Sequence, residues 1–318
     1  MTQMPTSFDH LPLCDRVRES CRWVSEHAQL VTIDDHALAR LGGTLDLKPT
    51  HNRSTPPSQL SPAQIDEATL VLALDAINFG SGYHDVVRKR PGLSGSRTMA
   101  AALEDYVQIT GRLTPDRLGQ ITIEDCSQIF SQELDGGVQE ELMSLFAAAL
   151  CDLGRWLDDR GGAGPAIASA RASAEAFADS LTDMLFFRDV ERYRATTVSF
   201  YKRAQITPAD LARRVHPGLF TDLHRLTAFA DNLVPHVLRM TGVLAYDADL
   251  SSTVDRRQLL EPGGQADVEI RAAGVECVER LVHLTGATAM DLDERLWTLG
   301  GAAEMKATPR HRARTVFY

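Results

Sequence analysis

An aspartate at the end of an apolar run is the residue of this sequence best suited to act on a positive charge. Asp231 closes the run LTAFAD and is followed at once by Asn232. A carboxylate among apolar neighbours exerts a strong field on a nearby cation, because the low local dielectric screens it little. Such a group can stabilise a cationic transition state or position a water molecule. The same pattern is also typical of a helix cap or a salt-bridge partner.

Two basic clusters stand out in an otherwise acidic chain. They comprise Lys202 and Arg203 in SFYKRAQI, and Arg310, His311, Arg312 and Arg314 near the C-terminus. Lysine is a point charge and arginine a planar fork, and either can bind a phosphate. We expect one or both clusters to do so, with solvated surface as the alternative. The phosphate-binding candidates are Lys202, Arg310, His311, Arg312 and Tyr318; Tyr201 is a further hydroxyl donor or a packing residue.

The segment INFGSGY at 77–83 contains groups suited to a flat heterocycle. Phe79 offers a stacking face, and Asn78 offers both a donor and an acceptor. Gly80 and Gly82 permit positive φ and close backbone approach, so main-chain groups can also bind a ligand here. A helix C-cap is the alternative. The candidates for binding such a ring are Asn78, Phe79, Gly80, Ser81, Asn232 and His51, which lies in the proline-rich segment 43–61 and has a structural role as its alternative.

Neither the histidines nor the cysteines form a recognisable metal motif. The ten histidines are dispersed, without HExxH or HxH spacing, and the five cysteines are scattered without a CxxC pair. Structural zinc sites use closely spaced pairs of such ligands. We therefore predict no metal and no cofactor, and reduced, buried thiols.

Charge and hydropathy narrow the class of partner. A net charge of -10 opposes a nucleic acid polymer, because non-specific affinity for such a chain needs many lysines and arginines to neutralise phosphates. A small phosphorylated ligand needs only two or three cations. No run approaches the roughly 20 apolar residues of a membrane helix, and the N-terminus lacks a signal pattern. We predict a cytoplasmic protein with a small-molecule substrate and no membrane partner.

The spacing of apolar residues predicts a mainly α fold. At 318 residues the chain suits one large domain or two closely packed ones, and we expect a single domain over residues 1–318, with 1–44 as a peripheral segment. SPAQIDEATLVLALDAINF predicts a buried helix that follows a capping serine. Thr196–Ile206 suits a short strand or a helix start, and 43–61 a loop. Further helical segments are 97–107, 114–119, 137–159, 166–187, 207–215, 222–242, 256–261, 266–285 and 290–299.

Two other features have conventional interpretations. Asp267, Glu269 and Arg271 alternate in DVEIRA, for which we favour an intramolecular ion pair. Trp297, in RLWTLG, is expected in the core, although it can also line a pocket.

Several separated blocks together resemble one family. INFGSGY, SFYKRAQI, LTAFADNLVPHVL, DVEIRAAGVECVERL and PRHRARTVFY, in this order, are similar to segments of the queuosine salvage protein family. Its eukaryotic members have YKRAQI, FAD followed by a proline four residues later, EVEIR, and a terminal HR-x-R-x-x-Y. The resemblance runs from about residue 45 to Tyr318. Where those members have an aromatic-rich pair after NF, this chain has Gly80-Ser81-Gly82.

The resemblance implies a fold and an activity. The fold is mainly helical and similar to helix-hairpin-helix DNA glycosylases. The activity is hydrolysis of queuosine 5'-monophosphate to queuine and ribose 5-phosphate, for queuine salvage, with Asp231 as the implied catalytic residue. The rival interpretations are a DNA repair glycosylase, a non-catalytic nucleotide-binding protein and a hydrolase of unphosphorylated nucleosides.

Overall fold

The computed structural model describes residues 7–47 and 55–318, and over these ranges the fold is mainly α, as predicted. No helix in the described ranges has the length and apolar character needed to cross a bilayer. The helices are α1 (Leu13–His27), α2 (Asp35–Thr44), α3 (Pro62–Ala76), α4 (Gly95–Thr110), α5 (Pro115–Gly119), α6 (Ile123–Phe130), α7 (Val138–Asp159), α8 (Ala163–Ser169), α9 (Ala174–Leu181), α10 (Lys202–Arg214), α11 (Leu233–Met240), α12 (Ala248–Asp255), α13 (Gln265–Thr285), α14 (Ala289–Gly300) and α15 (Ala303–Ala307).

Two antiparallel strand pairs accompany these helices. Strands β1 (Val31–Ile33) and β4 (Leu244–Tyr246) form one pair, in which Val31 lies opposite Tyr246. Strands β2 (Val190–Tyr193) and β3 (Thr196–Ser199) form the other, in which Val190 lies opposite Ser199. The segment 196–206 thus contains both structures considered for it, since β3 ends three residues before α10 begins.

The chain forms two compact units. The first contains residues 1–51, as far as they are described, with 189–205 and 222–314. The second contains 52–188, again as far as described, with 206–221 and 315–318. The single-domain assignment and the likeness to helix-hairpin-helix glycosylases stay predictions.

Helix α13 is the centre of the first unit. Residues 267–278 are all buried, so the helix is covered on every side by α1, α2, α11 and α14. At Gly274, an added Cβ would lie 2.9 Å from Cγ of Pro235 in α11, so only glycine allows this approach of the two helices. The charged residues of DVEIRA are consequently buried and require partners.

Helix α7 occupies the equivalent place in the second unit, where α3, α5 and α6 pack against it. The predicted helix after Ser61 is confirmed: Ser61 and Gln64 form a capping box, and α3 starts at Pro62. Phe146 of α7 makes edge-to-face contacts with Phe79 and Phe130. The loop that follows α3 is therefore fixed to the core of this unit.

Some predicted helices are wrong in extent. Segment 166–187 contains the end of α8, then α9 and a short 3₁₀ turn, because Arg171 and Ala172 adopt positive φ and interrupt it. Segment 222–242 contains a 3₁₀ turn and then an extended stretch before α11. Residues 256–261 are not helical, because α12 ends at Asp255 and Arg257 has positive φ. Helices α1, α2, α6, α12 and α15 were not predicted.

Trp297 is not a core residue. Its exposed fraction is 44%, whereas Leu292 and Leu296 on the same helix are fully buried. The buried face of α14 passes through the two leucines, four residues apart, and Trp297 lies beside that face. The prediction failed because a single tryptophan does not identify which side of a helix packs inward.

Candidate active site

Asp231 caps the N-terminus of α11. Its Oδ1 accepts hydrogen bonds from the backbone N–H groups of Leu233 (2.8 Å) and Val234 (3.0 Å). The capping role considered for this residue is therefore present. The side chain is half-buried, and Oδ2 accepts no hydrogen bond from the described residues. One carboxylate oxygen is held by the helix, and the other is available to a ligand.

The extended stretch before Asp231 is held by side chains from other elements. The N–H of Phe229 donates to Oδ1 of Asp293 over 2.9 Å. The Nε–H of Arg271 donates to the carbonyl oxygen of Ala230 over 3.1 Å. Backbone polar groups in a buried, non-helical stretch need such partners, and here both come from buried charged residues. The backbone that leads into Asp231 is thereby held in place.

Arg271 forms a buried ion pair with Asp189. Its Nη1 and Nη2 donate to Oδ1 and Oδ2 of Asp189 over 3.0 and 2.5 Å, and the two side chains are only 1% and 2% exposed. The face of the guanidinium lies on the ring of Phe200, with Cζ 4.0 Å from the ring centre. The predicted intramolecular ion pair of DVEIRA is therefore present, with a partner 82 residues away.

Glu269 of the same motif has a different role. Its Oε2 accepts the backbone N–H groups of Gln29 and Leu30, and its Oε1 accepts the hydroxyl of Tyr193. Nearby, burial raises the pKa of Glu191 to about 6, partly offset by the positive charge of Arg271. Glu191 and Asp189 thus both interact with the positive charge of Arg271.

Asp189 also holds the backbone that leads into Lys202. Its carbonyl oxygen accepts the N–H groups of Phe200 (2.9 Å) and Tyr201 (3.2 Å), and its Oδ2 accepts the N–H of Lys202 (3.2 Å). Tyr201 has a φ of 50°, a left-handed conformation that a non-glycine residue keeps only when its surroundings impose it. Lys202 and Arg203 are 5% and 1% exposed, so this cluster is not solvated surface.

The C-terminal cluster is attached to the same unit. The side-chain amide of Asn232 donates to the carbonyl oxygen of His311 over 3.2 Å, and the N–H of Leu260 donates to that of Arg312. Burial, reinforced by the charge of Arg310, lowers the pKa of His311 to about 3. His311 is therefore neutral near pH 7 and can offer a phosphate a hydrogen bond but no charge. Arg310 and Arg312 are half-buried, and Arg314 is exposed.

The INFGSGY segment belongs to the second unit and begins with the C-cap of α3, but its glycines do not form that cap. Helix α3 ends at Ala76, and Gly80, with a φ of 111°, lies beyond its cap at Ile77. The N–H groups of Gly80 and Ser81 donate to the carbonyl oxygen of Tyr318 over 3.1 and 3.4 Å. A ligand that used these two N–H groups would have to replace that oxygen.

The side chains of this segment differ in their surroundings. The ring of Phe79 is 3% exposed and packs on Phe146 and Phe186. The hydroxyl of Ser81 is buried and has no hydrogen-bond partner among the described residues. Asn78 follows directly after the cap of α3, and its N–H donates to the carbonyl oxygen of Asp75. Their ligand contacts stay predictions.

The structure therefore brings together Asp231, Asn232 and His311, and links Lys202 to Asp231 through Asp189 and Arg271. Asn78, Phe79, Gly80, Ser81 and Tyr318 form a second group in the other unit. His51 lies outside the described residues. Sequence reasoning selected neither Asp189, which lies outside every motif, nor Phe200, which lies within SFYKRAQI but has no polar group. Both act through contacts with Arg271, which is distant in sequence.

Neither disulfides nor metal-binding clusters accompany these groups. All five cysteines lie in the described ranges and are free thiols, of which Cys151 is half-buried and the others buried. Within the described ranges, no group of three or more histidine, cysteine, aspartate or glutamate residues is arranged to hold a metal ion.

The fold and site define a class of mainly helical proteins that combine a helix-capping carboxylate with buried cations. Residues 60–318 match the sequence model of a family described as "Queuosine salvage protein". A protein of Sphaerobacter thermophilus is 36% identical over 95% of this chain and 97% of its own length. One from Bos taurus is 26% identical over 95% of this chain and 98% of its own. Both are named "Queuosine 5'-phosphate N-glycosylase/hydrolase". The chain belongs to the queuosine salvage protein family.

Proposed function

We propose that this protein hydrolyses the N-glycosidic bond of queuosine 5'-monophosphate and releases queuine and ribose 5-phosphate. The observation that carries the mechanism is the asymmetry of Asp231, whose Oδ1 caps a helix while Oδ2 accepts no hydrogen bond from the described residues. Relatives aligned over nearly their whole length carry the name of this activity. Released queuine is then available for tRNA modification, in the cytoplasm as the sequence predicts.

The reaction breaks the bond between C1' of the ribose and the base nitrogen. Positive charge develops on the sugar as the base departs, and a carboxylate close to C1' lowers the energy of that transition state. Water supplies the new C1'–O bond, and its proton balances the charge gained by the base. Asp231 is proposed to stabilise the cationic sugar or to orient this water through Oδ2.

The structure of the base makes stabilisation of the sugar cation by Asp231 more important. Queuine is a 7-deazaguanine, which has carbon where a purine has N7, so the usual position for protonating the departing base is missing. The protein must then rely on stabilising the sugar cation and on hydrogen bonds that absorb charge developing on the base.

The phosphate anchors the substrate so that C1' is held at the carboxylate. Lys202, Arg310 and Arg312 are proposed to provide its positive charge, while His311 and Tyr318 provide neutral donors. Support comes from the first unit, where Lys202 and Asp231 are linked by the Asp189–Arg271 pair. No cofactor takes part in this proposal.

Several individual residues are proposed to recognise the base. Asn232 retains an Oδ1 that accepts no hydrogen bond from the described residues, and Ser81 has a buried hydroxyl without a described partner. These atoms are proposed as polar contacts to the base. Asn78, Phe79, Gly80 and His51 complete the proposed set.

The decisive experiment compares wild type with Asp231→Asn by following queuine release chromatographically. Asparagine keeps an oxygen that can cap α11, so this substitution removes charge with little change in fold. Asp247→Asn is a matched control, because Asp247 caps α12 in the same unit by accepting the N–H of Leu250. We expect release by the wild type and by Asp247→Asn, and a loss on the order of 10² to 10³-fold for Asp231→Asn.

The substrates in this assay separate the alternatives. Queuosine 5'-monophosphate is compared with queuosine and guanosine monophosphate, and duplex DNA tests the repair-glycosylase alternative. Binding of the monophosphate without release by folded wild type at high concentration would contradict hydrolysis and support a binding protein. Equal turnover of queuosine would contradict the role assigned to the phosphate.

A further inference from the structure

The buried pair of Asp189 and Arg271 performs no chemical step in the proposed reaction, yet it contacts both groups that do. On one side, the Nε–H of Arg271 binds the carbonyl oxygen of Ala230, one residue before Asp231. On the other side, Asp189 accepts the N–H of Lys202, the proposed phosphate ligand. One ion pair therefore restrains the backbone at two functional positions.

The contacts made by Arg271 require an arginine side chain. The two terminal nitrogens are engaged by the carboxylate, and the remaining Nε–H points along a different edge to Ala230. The guanidinium plane also lies on Phe200, which fixes its orientation. A lysine retains the charge but lacks both the planar fork and the separate Nε–H.

Stability alone does not account for such a pair. Removing two charges from water is costly, and apolar residues of similar volume often fill such a position equally well. What an apolar pair cannot provide is an acceptor for the N–H of Lys202 or a donor for the oxygen of Ala230. The distinctive contribution of the pair is therefore the position of these backbone atoms.

We propose that Arg271 is a positioning residue for Asp231, and that through Asp189 it also fixes the backbone of Lys202 relative to Asp231. This inference rests on the proposed function. Misplacement of Asp231 affects the transition state more than the bound substrate, so loss of the Nε–H should lower kcat with little change in KM.

The test uses Arg271→Lys in the full chain, with Glu269→Gln as the matched control. Glu269 is equally buried on α13, two residues away, but its hydrogen bonds come from other groups. These are the N–H groups of Gln29 and Leu30 and the side chains of Tyr193 and Gln265. We expect both variants to melt at lower temperature than the wild type. Only Arg271→Lys should lower kcat for queuosine 5'-monophosphate, by roughly ten- to a hundred-fold, the effect of a displacement of about 1 Å.

Hydrogen exchange provides a readout independent of catalysis. The N–H groups of Leu233 and Val234, which donate to Asp231, should exchange faster in Arg271→Lys than in Glu269→Gln at matched stability. If Arg271→Lys does not fold, the double variant Arg271→Met with Asp189→Leu removes both charges together and leaves neither unpaired. This double variant is expected to fold. It should show the loss of kcat and the faster hydrogen exchange at Leu233 and Val234 that are expected for Arg271→Lys.

The outcomes distinguish this inference from the proposed function. The positioning role would be overturned if the wild type releases queuine and both Arg271 variants keep the wild-type kcat and the wild-type exchange rates at Leu233 and Val234. That result would leave the proposed hydrolysis intact. Equal loss of kcat in Glu269→Gln would also overturn it, because the effect would then follow general stability. No release by folded wild type would refute the function, and exchange at Leu233 and Val234 would still decide whether Arg271 holds this stretch.

Discussion

The side-chain amide of Asn232 donates a hydrogen bond of 3.2 Å to the carbonyl oxygen of His311. This bond joins the start of α11, where Asp231 is the cap, to the middle of the C-terminal basic cluster. The carboxylate and these cations therefore occupy connected parts of one unit, although about 80 residues separate them in sequence.

We predict that Asn232→Ala weakens binding of the phosphorylated substrate. Loss of the bond to His311 should cost about 1 kcal/mol of stability and release the backbone beside Arg310 and Arg312. KM for queuosine 5'-monophosphate should rise, and KM for queuosine should change less, as measured by steady-state queuine release. KM for queuosine should still rise to some extent, because Asn232 is also a proposed base contact. An equal rise for both substrates would contradict its link to the phosphate site and leave the base contact as its role.

Lys202→Met should reduce the preference for the phosphorylated substrate. Methionine fills a similar buried volume but carries no charge, so kcat/KM should fall for queuosine 5'-monophosphate and remain nearly constant for queuosine. Lys306→Met, at an exposed position on α15, is the control and should alter neither value. A parallel loss on both substrates would contradict the phosphate assignment for Lys202.

Ser81→Ala separates binding from folding. The hydroxyl is buried without a described partner, so its removal should leave the melting temperature unchanged or slightly raise it. If this hydroxyl binds the base, KM should rise while stability does not fall. Thermal melting and steady-state kinetics on the same preparation test both points, and an unchanged KM would remove Ser81 from the set of base contacts.

His311 should make the protein sensitive to acid. Its pKa is lowered to about 3 in the folded state, from an ordinary value of 6.5. The unfolded chain therefore binds a proton that the folded chain does not, so the stability due to this residue is complete above pH 6.5 and is lost as the pH falls towards 3. The slope is about 1.4 kcal/mol per pH unit within this window.

Urea unfolding of wild type and His311→Gln at several pH values measures this slope. The free energy of unfolding of the wild type should fall relative to that of the variant as the solution is acidified from neutral. His36→Gln, on the exposed side of α2, is the control. Parallel curves for wild type and His311→Gln would show that protonation of His311 is not linked to folding.

Local patterns in the sequence determined much of the fold and the choice of catalytic candidate. The serine before α3 and the apolar spacing of α7 and α13 predicted those helices, because caps and helix faces depend on residues within a few positions of one another. The same local pattern identified Asp231 as a cap or a reactive carboxylate. The separated family motifs supplied the activity.

Tertiary structure decided which buried charges meet. Asp189 pairs with Arg271 across 82 residues, Lys202 and Arg203 are buried, and Trp297 is exposed. None of these follows from spacing along a helix, because each depends on which elements pack together around α13 or beside α14. Burial creates the need for a partner, and only the packed chain determines which residue is near enough to provide it.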